Sequence, residues 1–209
     1  MMDEVTAPLE TGLRMSRAEY LAWAEAQPRG RFERVDGEIV AMAPERAGHA
    51  RRKMNVVIAL REAVKAAGLS CEVFPDGMSI RVGESDFEPD AVLRRGDPID
   101  DDRVDVPDPL VIVEVLSPSP RHVDVTRKMT AYFRVPSLRH YLVVFTDEPK
   151  VMHHRRVDGE ETLQTRILTA GAIDLDPPGI PSRSRRSTAA DASAAVFARF
   201  GPPADAMGA

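Results

Sequence analysis

Three side chains in the middle of the chain are of the types, and stand in the order, that phosphodiester hydrolysis uses: Asp90, Glu114 and Lys128. Asp90 closes the triplet Glu88-Pro89-Asp90, Glu114 is the single charge inside the apolar run Val111-Ile112-Val113-Glu114-Val115-Leu116, and Lys128 lies on the helical segment that follows. Two carboxylates offer oxygen donors to a hard cation such as Mg2+ or Mn2+, and an ammonium beside them can orient an attacking water or offset charge on a phosphate. A lone charge within a buried strand is costly unless it is paired, ligating or at a strand end. Glu114 therefore reads as a metal ligand, the preferred reading, or as the partner of an arginine. Asp90 alone would be turn chemistry after Pro89; its weight comes from standing one strand ahead of Glu114.

Lysine usage adds to this. Of 28 basic residues only Lys53, Lys65, Lys128 and Lys150 are lysine, so the chain writes positive charge almost wholly as arginine, and Lys128 is a departure from its habit. Lysine carries a compact charge with a movable pKa, which the arginine fork does not. Asp124, Lys128 and Tyr132 recur at i, i+4, which leaves open a plain helix-supporting pair between Asp124 and Lys128. From Arg121 to Arg139 five basic residues stand against one acid, a balance suited to phosphates. From Glu84 to Asp108, ten acids against three arginines read as the opposite, with Asp97 to Asp102 a solvated loop. Other candidates weigh less. His49 reads as a cap or surface histidine, His153 and His154 alternate across a strand and make a poor bidentate site, and Ser117 lacks a nucleophile elbow or an ordered histidine partner.

Elements that would position these groups are legible from spacing. Ser16-Arg17-Ala18-Glu19 has the form of a capping box and starts a helix over about Ser16 to Ala26, ended before Pro28. Arg31 to Val35 and Glu38 to Met42 flank Asp36-Gly37, a two-residue hairpin turn. Apolar residues at helical spacing from about Arg46 to Ala67, followed by Gly68, predict the longest helix. Cys71 to Phe74 and Met78 to Val82 read as a second hairpin around Pro75-Asp76-Gly77, and Ala91 to Leu93 as a short strand. Leu110 to Leu116 predicts a strand buried on both faces. A helix from about His122 to Arg134 and the run Tyr141 to Phe145 then complete a strand, helix, strand order that predicts a parallel crossover. A last hairpin joins Lys150 to Arg155 and Thr162 to Leu168 around Asp158-Gly159. After Gly179 the composition shifts to Ser, Arg, Ala and Pro, read as a tail with a short helix from Ala189 to Phe200.

The totals bound the class. A chain of 209 residues with net charge −5 suits one domain over about 12–180 with a tail over 181–209, and any polyanion site on it must be local. Its single cysteine, Cys71, excludes an internal disulfide framework, and with no apolar run of about 18 residues and no leader-like segment a soluble cytoplasmic protein is expected.

Taken in order, Phe32-Glu33-Arg34-Val35-Asp36-Gly37-Glu38 with Met42 and Pro44, His49, Pro89-Asp90, Glu114-Val115-Leu116-Ser117-Pro118-Ser119, Asp124, Lys128 and Tyr132, and Tyr141-Leu142-Val143-Val144 resemble the Uma2 family. That group belongs to the restriction-endonuclease-like nucleases of the PD-(D/E)XK superfamily, and the likeness runs from about Met15 to Gly179. The resemblance implies an α/β fold with a mixed central sheet flanked by helices, and a site where Asp90 and Glu114 bind Mg2+ or Mn2+ for hydrolysis of nucleic acid, DNA ahead of RNA. A homodimer suits an enzyme that cuts both strands. One departure stands out: the superfamily places its lysine two residues after the acid, whereas position 116 is Leu, so the resemblance passes that role to Lys128. Glu33 could add a third carboxylate or form a surface salt bridge. The alternative is a degenerate nuclease-fold module that acts in binding or assembly.

Overall fold

The computed structural model describes residues 12–116, 122–159 and 162–180, with backbone only for 122–124. Ser117 and the segment read as a helix from Ala189 to Phe200 lie outside these residues. The element order is α1 (Arg17–Glu25), β1 (Phe32–Val35), β2 (Glu38–Ala41), α2 (Ala47–Ala67), β3 (Cys71–Pro75), β4 (Ile80–Val82), β5 (Ser85–Phe87), β6 (Ala91–Arg95), β7 (Pro109–Leu116), α3 (His122–Tyr132), β8 (His140–Phe145), β9 (Val151–Arg156) and β10 (Leu163–Leu168). These form two compact units, one from the described residues up to Pro44 with Arg81–Phe87, the other from Glu45–Ile80 and the described residues from Glu88 onward.

In the first unit the strand order is β2-β1-β5-β4. The capping box forms as expected: the Ser16 hydroxyl accepts from the Glu19 N–H while the Glu19 carboxylate accepts from the Ser16 N–H. Asp36 and Gly37 both take positive φ, 51° and 84°, which a two-residue turn between β1 and β2 requires. Tyr20, Phe32 and Ile39 form its core, with Trp23 set edge-on against Phe32. Arg34, almost fully buried, gives its Nε–H to Asp86 at 2.8 Å, and Arg17 takes the other Asp86 oxygen at the same distance.

The second unit is built on a sheet of order β10-β9-β8-β7-β6-β3, in which β7 and β8 run parallel and the other neighbours antiparallel. The apolar stripe of α2 (Val56, Val57, Leu60, Val64) packs with Ala91, Leu93, Val111, Val113, Val115, Leu142 and Val144, so alternate residues of the central strands face this helix. Gly68 ends α2 in the left-handed conformation, φ 65°. β7 is buried almost throughout, as its run of branched apolar residues requires. The parallel crossover through α3 forms as expected.

One expected pairing does not form. β3 and β4 are not a hairpin: β3 pairs antiparallel with β6, from Cys71↔Arg95 to Pro75↔Ala91, and β4 enters the other sheet beside β5, a strand that the sequence pattern did not reveal. The turn residues are used, with Gly77 at φ 108°, but the chain beyond them bonds elsewhere. The Ser79 N–H donates to the Val104 carbonyl at 3.1 Å and the Ser79 carbonyl accepts from Val106 at 2.9 Å, which draws the chain away from β3.

Candidate active site

Asp90, at the start of β6, is held on both sides of Glu114. Its N–H donates to the Val113 carbonyl at 3.1 Å and its Oδ2 accepts the Val115 N–H at 2.6 Å, so the carboxylate closes the end of the ladder between β6 and β7. Asp90 and Glu114 therefore stand at one sheet position, and both are buried, at 5% and 8% exposure. Each has an ammonium.

Glu114 Oε1 receives the Lys128 ammonium at 3.2 Å and the Tyr132 hydroxyl at 2.9 Å. Lys128 and Tyr132 lie one helical turn apart on α3, so a single face of that helix delivers both donors. The cation on this oxygen is a lysine. Arg156 secures the chain just after α3 by donating to the carbonyls of Phe133, Val135 and Leu138. The side chain of Asp124 lies outside what is described.

The other ammonium comes from a residue that sequence reasoning passed over. Lys53, on α2, sits 2.8 Å from Asp90 Oδ1, 2.8 Å from Glu45 Oε1 and 2.9 Å from Asp76 Oδ2. Burial pulls its pKa down, but the Asp90 charge and hydrogen bonds to Asp90, Glu45 and Asp76 outweigh that and raise it above the ordinary lysine value. Burial likewise opposes ionisation of Glu45, yet hydrogen bonds from Lys53 and His49 leave its pKa below the usual carboxylate value. His49 spans two neighbours, with Nδ1 at 2.8 Å from Glu45 Oε1 and Nε2 on the Val115 carbonyl. A signal for this group existed: Glu45, His49 and Lys53 recur every fourth residue, the spacing of one helix face.

The remaining candidates fall elsewhere. His153 pairs with His140, Nε2 to Nδ1 at 2.9 Å, and His154 meets the Thr165 hydroxyl at 2.9 Å, so the two adjacent histidines serve separate contacts. Glu33 is buried on β1 in the first unit, opposite Val40.

Among the described residues, no group of three or more His, Cys, Asp or Glu side chains is arranged to hold a metal ion by itself. Mg2+, however, commonly takes one or two carboxylates and completes its shell with water and phosphate oxygens. Asp90 and Glu114 are hard oxygen donors held at one sheet position, and in that respect they fit such an ion. No helix among the described residues is long and apolar enough to cross a membrane.

A family model, Uma2, described as "Putative restriction endonuclease", matches residues 17–189, most of the chain. An uncharacterised protein of Synechocystis sp., sll1609, is 29% identical over 162 residues, covering 76% of this chain and 90% of its own length. A second from the same organism, slr1290, is 30% identical over 159 residues, covering 70% of this chain and 77% of its own. Among solved structures, a DUF820 protein of Anabaena variabilis described as a putative nuclease superposes with a TM-score of 0.65 at 16% identity, covering 89% of this chain and 99% of that one. That likeness establishes the α/β fold, with a mixed sheet flanked by helices.

Proposed function

This chain belongs to the Uma2 family, and from that premise we propose that it is a divalent-cation-dependent endonuclease hydrolysing phosphodiester bonds, of DNA ahead of RNA. The observation that carries the reading is the buried Glu114 with Lys128 and Tyr132 on one of its oxygens and Asp90 bonded on either side of it. Asp90 and Glu114 would hold Mg2+ or Mn2+. When bound there, the ion polarises the scissile phosphate and lowers the pKa of a coordinated water.

The chain's own groups do the rest. Lys128, fixed against Glu114, places a positive charge beside the reacting phosphate, where it orients the attacking water and offsets the charge that develops on the phosphoryl oxygens. Tyr132 keeps the Glu114 carboxylate in one orientation. Arg127 on α3, with Arg134 just beyond it, supplies the local positive charge that holds a polyanion in register on a chain of net charge −5. A cytoplasmic homodimer would present one such site to each strand of a duplex.

The test is cleavage of plasmid and RNA by the purified protein with Mg2+ or Mn2+. Asp90→Ala and Glu114→Ala are each expected to abolish divalent-dependent cleavage while circular dichroism shows the fold intact; full activity in either variant overturns the assignment. The fact that each acid already carries an ammonium favours a second reading, a nuclease-fold module for binding or assembly. That reading expects no cleavage with any divalent ion.

A further inference from the structure

Lys53 is placed as an internal counter-ion, and its surroundings say what it counters. Its ammonium meets three carboxylates within 2.9 Å, two of which, Glu45 and Asp76, belong to neither ladder of the central sheet. The side chains of Glu45 and Asp76 are 29% and 25% exposed, whereas that of Asp90 is 7% exposed. Only the Asp90 end of the cluster is deeply buried, so Lys53 contributes most there: a carboxylate in low dielectric needs a positive partner when no other cation is at hand.

Asp90 has limited freedom to accept another cation. Its Oδ2 already accepts from the Val115 N–H, and its Oδ1 is the oxygen that Lys53 holds. Glu45 and Asp76 remain in contact with the same ammonium if it withdraws from Oδ1. A flexible four-carbon stem allows such a shift, which a rigid guanidinium fork would resist.

We propose that Lys53 is the resident cation of Asp90, that a divalent ion must take Oδ1 from it, and that Glu45 and Asp76 retain the displaced ammonium. This rests on the nuclease reading, in which Asp90 is a ligand. Lys53 is then a positioning residue that sets the cation affinity of the site and offsets the buried Asp90 charge between binding events.

The test is Mn2+ binding by titration calorimetry to the full chain, to Lys53→Met, and to Lys53→Met combined with Asp90→Asn. Loss of the competitor is expected to tighten Mn2+ binding about ten-fold or more, equivalent to about 1.4 kcal/mol, and Asp90→Asn is expected to remove that gain. If the unaltered chain binds Mn2+ through Asp90 and Glu114 and Lys53→Met binds no more tightly, Lys53 is not a competitor, although the nuclease reading stands. If neither protein shows binding that depends on Asp90, both fall. Should Lys53→Met fail to fold, 13Cε-lysine spectra of the unaltered chain decide the matter, since it has only four lysines. Saturating Mg2+ is expected to move the Lys53 resonance, and an unmoved resonance at saturation overturns the proposal.

Discussion

Lys128 and Tyr132 meet on a single oxygen of Glu114, the ammonium at 3.2 Å and the hydroxyl at 2.9 Å. The two donors are not equivalent. Lys128 brings charge into a buried site, and Tyr132, itself fully buried, brings orientation.

Removing either should therefore separate stability from catalysis. Tyr132→Phe deletes one hydrogen bond to a charged acceptor and is expected to cost about 1.5–3 kcal/mol with a partial loss of cleavage. Lys128→Met strips the counter-charge from a buried carboxylate, is expected to cost about 3–5 kcal/mol, and should eliminate cleavage, with Lys128→Arg restoring stability more than activity. Urea unfolding and plasmid nicking, measured on the same samples, check both. Equal losses of activity in Tyr132→Phe and Lys128→Met would refute the division of roles.

A second prediction concerns acid. His140 and His153 are buried side by side, His140 also bonded through Nε2 to the Pro177 carbonyl. Burial pushes His140 down to about 4, with Arg155 adding to it while the Pro177 carbonyl, Asp174 and Asp176 oppose it. Burial, followed by the charges of His140, Arg166, His154 and Arg155, pushes His153 down to about 3. Both rings stay neutral in the folded chain at pH values where the unfolded chain protonates them near 6.5. Below that pH the unfolded state binds more protons, so stability is complete above about 6.5 and is lost as pH falls toward 4, by at most about 1.4 kcal/mol per pH unit for each ring. Urea midpoints at pH 7 and pH 5 should show the drop, and His153→Gln should flatten it. An unchanged slope in that variant would mean that other groups control acid sensitivity.

A third prediction addresses the first unit. Asp86 takes one hydrogen bond from Arg34 and one from Arg17, and neither Asp86 nor Arg34 has more than a trace of exposure. Asp86→Ala leaves a buried guanidinium without its main partner and is expected to destabilise by about 3–5 kcal/mol. Glu84, which also contacts Arg34, is 75% exposed and cannot make up that loss. Thermal unfolding of Asp86→Ala beside Glu84→Ala checks the contrast, which fails if the two variants melt together.

Much of the architecture could be read from local chemistry. The capping box at Ser16, the Asp36-Gly37 turn, the Gly68 cap and the apolar run of β7 each carry their instruction within a few residues. The pairing of β3 does not. Pro75-Asp76-Gly77 does provide a turn, but which strand lies beside β3 is decided by Ala91 to Arg95, and the Asp76 carboxylate is engaged by a lysine 23 residues upstream. Lys128 was legible because it follows Glu114 by a single element. Lys53 was passed over despite its spacing from Glu45 and His49, because a lysine at helical spacing ordinarily marks a solvated face, and its partners Asp76 and Asp90 are far from it in the chain.

The parallel pairing of β7 with β8 has a consequence for how the site comes into being. Antiparallel neighbours can zip from a short turn, whereas parallel strands must wait for the whole crossover to be in place before the first ladder bond forms. Glu114 lies on the first strand of that crossover, and Lys128 and Tyr132 lie on the helix that completes it. A chain emerging from the ribosome thus holds its acid before it holds the donors that bond it, and the ladder beside that acid is complete only once β8 has docked.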